Sequence, residues 1–358
     1  MNKIKIGNRW IGQGDPPYFI ADIGANHDGS LEKACKLIEL AKEAGADAAK
    51  FQNFRANQIV SKVGFENLGT QVGHQSKWKK SVYKVYKDAS ISRDWTQILK
   101  NKCLEVGIEY FTSPYDFESV DHVDPYVDLY KIGSGDITWL EIIEHISSKK
   151  KPVLLATGAS DMTDVVRAMN VIESFTKDIV LMQCNTNYTL DADKHKYVNL
   201  NVLRTFSARF PNVVLGLSDH TFGHSTVLGA IALGAVFIEK HFTDSNSNEG
   251  PDHKFAMNPD SWRAMVDNAK VLYDSLGNGI KTIEENEKES KIVQRRCLRA
   301  TEDLQEGEIL ESKHFVSLRP APSDSLDPYE VKQLIGTQLK KGIVSGEHYT
   351  KGHFYVNW

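Results

Sequence analysis

The chain has 358 residues, 41% of them hydrophobic and 25% charged, with a formal net charge of -4. That composition suits a soluble globular protein with a sizeable core, and the absence of a basic excess argues against a nucleic-acid partner. No apolar run approaches the ~18 residues of a membrane span, and Met1 to Trp10 lacks the apolar centre of a signal peptide, so the expectation is a cytoplasmic protein with no membrane partner. The four cysteines, Cys35, Cys103, Cys184 and Cys297, contain no CxxC pair, which fits reduced core residues rather than a disulfide frame or a thiolate zinc site.

In chain order, short apolar runs alternate with longer helical patterns from Tyr18 to about Leu276. The runs are Tyr18–Asn26, Asp47–Phe54, Ile108–Pro114, Leu129–Gly135, Pro152–Gly158, Ile179–Thr186, Val213–His220 and Val236–Thr243. Near-continuous apolar character marks strands covered on their outer face. Between the first two, Leu31, Ala34, Cys35, Ile38 and Ala41 recur at helical spacing after Ser30, a suitable N-cap. Eight strands with crossover helices in ~250 residues predict an α/β fold, a (β/α)8 TIM barrel. An open doubly wound sheet is the weaker reading, because no GxGxxG turn follows the first strand. The stretch Arg55 to Ser92, with Trp78, Tyr83 and Tyr86, is long enough to predict a lid over a site. The barrel is expected to occupy residues 1–280, a Glu/Lys-rich linker 281–294, and a small mostly-β domain 295–358, with turns at Glu306-Gly307, Ser345-Gly346 and Lys351-Gly352.

Polar residues collect at the C-terminal ends of these strands, where a barrel of this kind builds its active site. In order they are Asp22 and Asn26, Lys50 and Gln52, Thr112 and Ser113, Lys131 with Ser134 and Asp136, Asn185 to Tyr188, Ser218 and His220, and Glu239 and His241. Charges inside apolar strands are costly unless partnered, so their recurrence at one end points to a polar ligand. Period-2 parity puts Lys50 with Gln52, Ser218 with His220 and Glu239 with His241 on inward faces, and turns Lys240 outward. His220 and His241 end adjacent strands; either alone reads as a core histidine, but as a pair they suit a divalent metal such as Mn, Zn, Fe or Co. Lys50, Lys131, Ser113, Ser134 and Ser218 make a cradle for phosphate and carboxylate, and the Gly133-Ser134-Gly135 turn lets backbone approach an anion closely.

Several runs together resemble the sialic acid synthases and the bacterial synthases of legionaminic and pseudaminic acids. They are IADIGANHDGS at 20–30, AKFQNF at 49–54, TSPYD at 112–116, YKIGSGD at 130–136, LATG at 155–158, GLSDHT at 216–221, EKHFTD at 239–244 and GPDHKFAMNPD at 250–260. The tail, with RRCLRATEDLQEGEIL at 295–310 and LRPAP at 318–322, resembles the antifreeze-like (SAF) domain that ends those enzymes. The resemblance implies condensation of phosphoenolpyruvate with an N-acylated aminohexose, N-acetylmannosamine or a diacetamido-trideoxyhexose. The product is a nine-carbon keto-deoxy sugar acid, and phosphate is released. It assigns phosphoenolpyruvate to Lys50, Ser113, Lys131, Ser134, Thr186 and Ser218, and the sugar to Gln52, Tyr188 and Asp252. It further implies that Arg319 contacts the acyl group across a domain-swapped homodimer, that His220 and His241 hold a divalent metal, Mn2+ foremost with Mg2+ or Co2+ as substitutes, and that Asp136 or Asp22 serves proton transfer.

The chain departs from the family pattern at three places. Asp22 and Asp136 stand where the family usually has Glu. The run Cys184-Asn185-Thr186-Asn187-Tyr188-Thr189 replaces Cys-Thr-x-x-Tyr-Pro. The loop Phe65–Asp88 is more aromatic and basic than in the plain sialic acid enzymes. These departures point to a subgroup acting on a deoxygenated or diacylated hexose. Competing readings are a synthase of a shorter keto-deoxy acid from a sugar phosphate, a Schiff-base aldolase using Lys131, and a non-catalytic sugar- or ice-binding protein.

Overall fold

The computed structural model describes residues 3–71, 75–76, 78–188 and 192–355. Thr189 and positions 72–74 and 77 of the loop discussed above lie outside the described residues. The chain divides into two compact units, Met1–Gly277 and Asn278–Trp358.

The first unit opens with an antiparallel hairpin, β1 (Lys3–Ile6) and β2 (Arg9–Gly12). Gly7 turns it at φ 53°, and Ile4, Ile6 and Ile11 are buried in the barrel core. Arg9 pairs with Asp47, so the hairpin covers the end where the barrel strands begin. Sequence reading did not extract it, although the Ile4/Ile6 alternation before Gly7-Asn8 carried the signal.

The eight expected strands all form. They are β3 (Tyr18–Asp22), β4 (Ala48–Asn53), β5 (Glu109–Pro114), β6 (Tyr130–Ile132), β7 (Val153–Ala156), β8 (Ile179–Cys184), β9 (Val214–Asp219) and β10 (Ala235–His241). They build one parallel sheet in the order β5-β4-β3-β10-β9-β8-β7-β6, and its edges β5 and β6 lie side by side, giving the (β/α)8 barrel. The strands are shorter than the apolar runs, so Asn26, Phe54, Thr186 and Thr243 fall in the loops beyond them. Helix Leu31–Glu43 starts at Ser30, whose side chain accepts the Lys33 amide hydrogen as a cap, and buries Ala34, Leu37, Ile38 and Ala41. Arg55 to Ser92 is more ordered than a plain loop and carries helices Ala56–Ile59, Lys62–Asn67 and Val82–Ala89.

Register positions the site. Lys50 and His241 both pair with Asp22, Ser218 pairs with Cys184 and Glu239, and Gln52 pairs with Ser113. Inward side chains of neighbouring strands therefore stand at one level. Lys240 points the other way, into the layer between sheet and helices, where its Nζ lies 2.5 Å from Asp219 Oδ2 and donates to Thr221 O at 2.7 Å. Thr226 Oγ1 also donates to Asp219, at 2.7 Å.

In the second unit, β11 (Cys297–Ala300) and β12 (Phe315–Leu318) pair antiparallel over a core that includes Leu298, Leu304, Leu310, Leu326, Leu339, Tyr349 and Phe354. Helix Lys288–Gln294, in the stretch read as a linker, is exposed throughout. Among the described residues no helix is long and apolar enough to cross a membrane.

Asp219→Ala would leave the Lys240 ammonium buried and unpaired, and should cost about 3–5 kcal/mol in urea unfolding. The double substitution Asp219→Leu with Lys240→Met should cost far less, since it removes both charges.

Candidate active site

At the C-terminal ends of the barrel strands lies a cavity of about 340 Å3. Its floor is a lattice of buried charges. Lys50 Nζ is 2.7 Å from Asp22 Oδ2 and 3.8 Å from Glu239 Oε1, while Lys131 Nζ is 3.1 Å from the same Glu239 oxygen. Ser218 Oγ donates to Glu239 Oε1 at 3.2 Å, Gln52 Nε2 donates to Asp22 Oδ2 at 3.2 Å, and the Gly24 amide donates to Asp22 Oδ1 at 3.0 Å. Burial alone would raise the Asp22 carboxyl, but Lys50, His241 and Lys131 outweigh it and hold it below the ordinary value. Burial likewise opposes the Lys50 charge, yet Asp22 and Glu239 more than compensate, so its ammonium is strengthened. Glu239 Oε2 and Ser113 Oγ are buried without a hydrogen-bond partner among the described residues.

Above the lattice, the His220 and His241 rings stand 5.4 Å apart, with Tyr188 4.3 Å from His220 and Phe255 5.0 Å from His241. His220 Nδ1 lies 2.9 Å from Asn185 O. Burial, with His241 beside it, pulls His220 down to about 3, so its imidazole is neutral at physiological pH. His241 Nδ1 is buried without a hydrogen-bond partner; the Asp22 and Asp252 carboxylates lie 3.5 and 3.8 Å from this ring. The neutral imidazole of His220 beside the orphaned Nδ1 of His241 fits a divalent cation. Among the described residues no group of three or more His, Cys, Asp or Glu is gathered as a ligand set, so water or substrate oxygens would complete the shell. Phe54, Ile59, Trp78, Val85, Tyr86 and Tyr115 give one wall a carbon-rich face, and most of them come from the 55–92 segment.

A family model described as the NeuB family matches residues 37–281. The chain belongs to the NeuB family. It is 33% identical over 319 residues to the N,N'-diacetyllegionaminic acid synthase of Campylobacter jejuni, covering 87% of this chain and 93% of that protein. It is 32% identical over 341 residues to the pseudaminic acid synthase of the same organism, covering 94% and 96%. Among solved structures it is similar to the N-acetylneuraminic acid synthetase of Leptospira borgpetersenii in complex with citrate. The TM-score is 0.70 at 25% identity, over 81% of this chain and 95% of that one.

Of the residues that sequence reading assigned to a NeuB-type site, Asp22, Lys50, Gln52, Lys131, Ser134, Asp136, Thr186, Tyr188, Ser218, His220, His241 and Asp252 all line the cavity. Ser113 shares the inward face with Gln52 by register but is buried behind the lining. Arg319 is an exposed residue of the second unit. Sequence reading underrated Glu239, the carboxylate that both lysines share, and did not anticipate Tyr115 in the wall. Parity with His241 was the available signal for Glu239. Gly158 is required by close packing rather than by backbone conformation. A Cβ there would clash with Thr186 and lie 2.9 Å from Ser134 Oγ, which accepts the Gly158 amide hydrogen.

Asp136 is set apart from the lattice. Burial, only partly offset by Lys131, pushes its carboxyl from 3.8 up to about 6. A folded value above the unfolded one means a stability contribution complete below 3.8 and lost as pH rises through about 6. At pH 8 the fold therefore carries a poorly solvated anion. Asp136→Asn should raise stability at pH 8 by up to about 2 kcal/mol, and the gain should vanish toward pH 4, as read by thermal unfolding at both pH values.

Proposed function

We propose that this chain is a nonulosonic acid synthase that condenses phosphoenolpyruvate with the open-chain aldehyde of an N-acylated aminohexose. NeuB membership, among relatives named as legionaminic, pseudaminic and sialic acid synthases, carries the reaction class. The observation that carries the chemistry is the pair of buried ammonium groups, Lys50 and Lys131, opening into one cavity beside two imidazoles.

In this reading Lys50 and Lys131, with Ser134, Thr186 and Ser218, hold the phosphate and carboxylate of phosphoenolpyruvate, and Ser113 supports them from behind. Gln52, Tyr188 and Asp252 orient the acceptor. The enolpyruvate methylene carbon forms the new bond to the aldehyde carbon, whose oxygen takes up a proton. Water adds at the former enol carbon and loses a proton; the carbon–oxygen bond to phosphate then breaks as the new hydroxyl becomes the keto group, its proton passing to the departing phosphate. Asp22, held ionised, anchors donors. Asp136, with its carboxyl near 6, is the group able to give and take a proton at working pH. His220 and His241 would hold a divalent cation, Mn2+ by the family resemblance, which supplies Lewis-acid polarisation of the aldehyde when bound. The second unit is proposed as an antifreeze-like domain whose Arg319 serves the acceptor of the partner subunit in a domain-swapped homodimer. The expected compartment is the cytoplasm.

The deciding assay is phosphate release from phosphoenolpyruvate with Mn2+ across N-acetylmannosamine, diacetamido-trideoxyhexoses and arabinose 5-phosphate. Release with an unphosphorylated aminohexose supports the reading, and release only with the sugar phosphate sinks it. His241→Ala should lower turnover by about 100-fold or more with the circular dichroism spectrum unchanged, and chelation should abolish activity until Mn2+ is restored. Full activity in chelated buffer would remove the metal from the scheme. Arg319→Ala should raise the acceptor KM while the mass in solution stays that of the dimer.

A further inference from the structure

Three polar side chains follow one another at the turn after β3; the middle one braces the turn itself, and the other two reach the segment after β10. Asn26 Nδ2 donates to Phe242 O at 2.8 Å, His27 Nδ1 accepts the Gly29 amide hydrogen at 3.0 Å, and Asp28 reaches across to the loop after β10. That loop carries Asp252, whose own hold on the site is slight. Its Oδ2 accepts the Ala25 amide hydrogen at 3.2 Å and stands 3.8 Å from His241 Nδ1. The next residue, His253, is fully buried. Its Nε2 lies 3.0 Å from Asp28 Oδ1 and its Nδ1 2.6 Å from Thr243 Oγ1. Asp28 is fixed in turn by Lys33 Nζ at 2.6 Å. A Cβ on Gly250 would lie 2.6 Å from the His253 ring, so the loop closes directly on the imidazole. Asn246 Nδ2 donates to both His253 O and Ala256 O at 2.8 Å, completing the loop's internal bracing.

We propose that His253 is a positioning residue. Clamped between Asp28 and Thr243, it sets the loop after β10 so that the Asp252 carboxylate projects into the acceptor end of the cavity above His241. Adjacent residues on this loop thus dock on the same β3 turn, Asp252 through the Ala25 amide and His253 through Asp28. A two-point attachment fixes both the height and the rotation of the loop. One hydrogen bond from a backbone amide would fix neither. One ring nitrogen faces a carboxylate and the other a hydroxyl, so an Nε2–H tautomer can donate to Asp28 while Nδ1 accepts from Thr243 Oγ1. This role rests on the function proposed above, in which Asp252 contacts the acceptor sugar.

The test uses the full-length protein. His253→Phe keeps the ring volume and removes both hydrogen bonds. It should raise the acceptor KM roughly tenfold, the size of one lost hydrogen bond to a charged group, with kcat and the phosphoenolpyruvate KM within about twofold. Asp28→Ala should do the same, and Asp28→Asn, which retains an oxygen to accept from Nε2, should restore the acceptor KM. On an Asp252→Asn background, His253→Phe should add nothing, because its effect passes through Asp252. A fall in kcat and both KM values together, or additive effects in the double variant, would overturn the positioning role. Amide hydrogen exchange over residues 244–257 gives a reading independent of activity. It should accelerate in His253→Phe and Asp28→Ala but not in Asp28→Asn, and unchanged exchange would overturn the clamp. If the wild-type protein released no phosphate with any aminohexose, the proposed function would fall while the exchange measurement still judged the clamp.

Discussion

The lattice of Lys50, Asp22, Glu239 and Lys131 is the constraint to which the rest of the barrel answers. Each of these groups is buried, and a charge taken out of water costs several kcal/mol unless opposite charge and hydrogen bonds meet it at close range. Compensation here depends on strand register. Lys50 and His241 reach Asp22 because their strands flank β3 at the same level, and Ser218 reaches Glu239 for the same reason on the far side of β10. A slip of one residue in any of these strands would turn its charge toward the helices and strand the partner. The layer between sheet and helices has its own closed arrangement, Lys240 with Asp219, Thr221 and Thr226, so the alternate parity is also fully committed. The apolar remainder of the barrel, from Ile20 to Phe237, supplies the stability that keeps both layers in step.

Charge balance in the lattice also shapes its chemistry. Two ammonium groups face two carboxylates, with one oxygen of Glu239 and the Ser113 hydroxyl left without partners among the described residues. Under the proposed function, an anionic substrate would compete with Glu239 and Asp22 for the same lysines. That exchange replaces ion pairs by ion pairs and avoids the full cost of desolvating a free cation. The phenols nearby cannot complicate the balance, since burial raises Tyr115 and Tyr188 well above their ordinary values and pushes Tyr86 up to about 12.

Much of this was legible in the amino-acid sequence because barrels expose their logic in one dimension. Apolar runs mark strands, and polar residues at their ends mark the site. Parity alone separated inward Glu239 and His241 from outward Lys240, and register then brought nearly every inferred residue to one cavity. What stayed hidden depends on contacts between distant segments. That one Glu239 oxygen serves both Lys50 and Lys131 follows from barrel closure, which periodicity does not encode. The helices at Ala56–Ile59 and Val82–Ala89 are short, and which of their side chains reach the cavity depends on how they dock on the barrel. Ser113 shows the opposite limit, since its place at a strand end marked it for the site but could not tell the lining from the layer just behind it.

The two carboxylates that are one methylene shorter than the family pattern illustrate how placement divides labour between like groups. Asp22 ends a strand, and its short side chain keeps it within 2.7 Å of Lys50 while its second oxygen takes the Gly24 amide. A longer side chain would reach further into the cavity, whereas the aspartate is locked at the floor as a permanent anion. Asp136 follows β6 in the turn after Gly133, outside the ion pairs that hold Asp22 and Glu239, and meets burial with only the partial relief of Lys131. Environments that push two carboxyl groups apart in this way suit one to a fixed charge and, under the proposed function, the other to carrying a proton. The two aspartates therefore differ by surroundings rather than by chemistry: Asp22 is drawn into the lattice by Lys50, while burial holds the Asp136 carboxyl near 6.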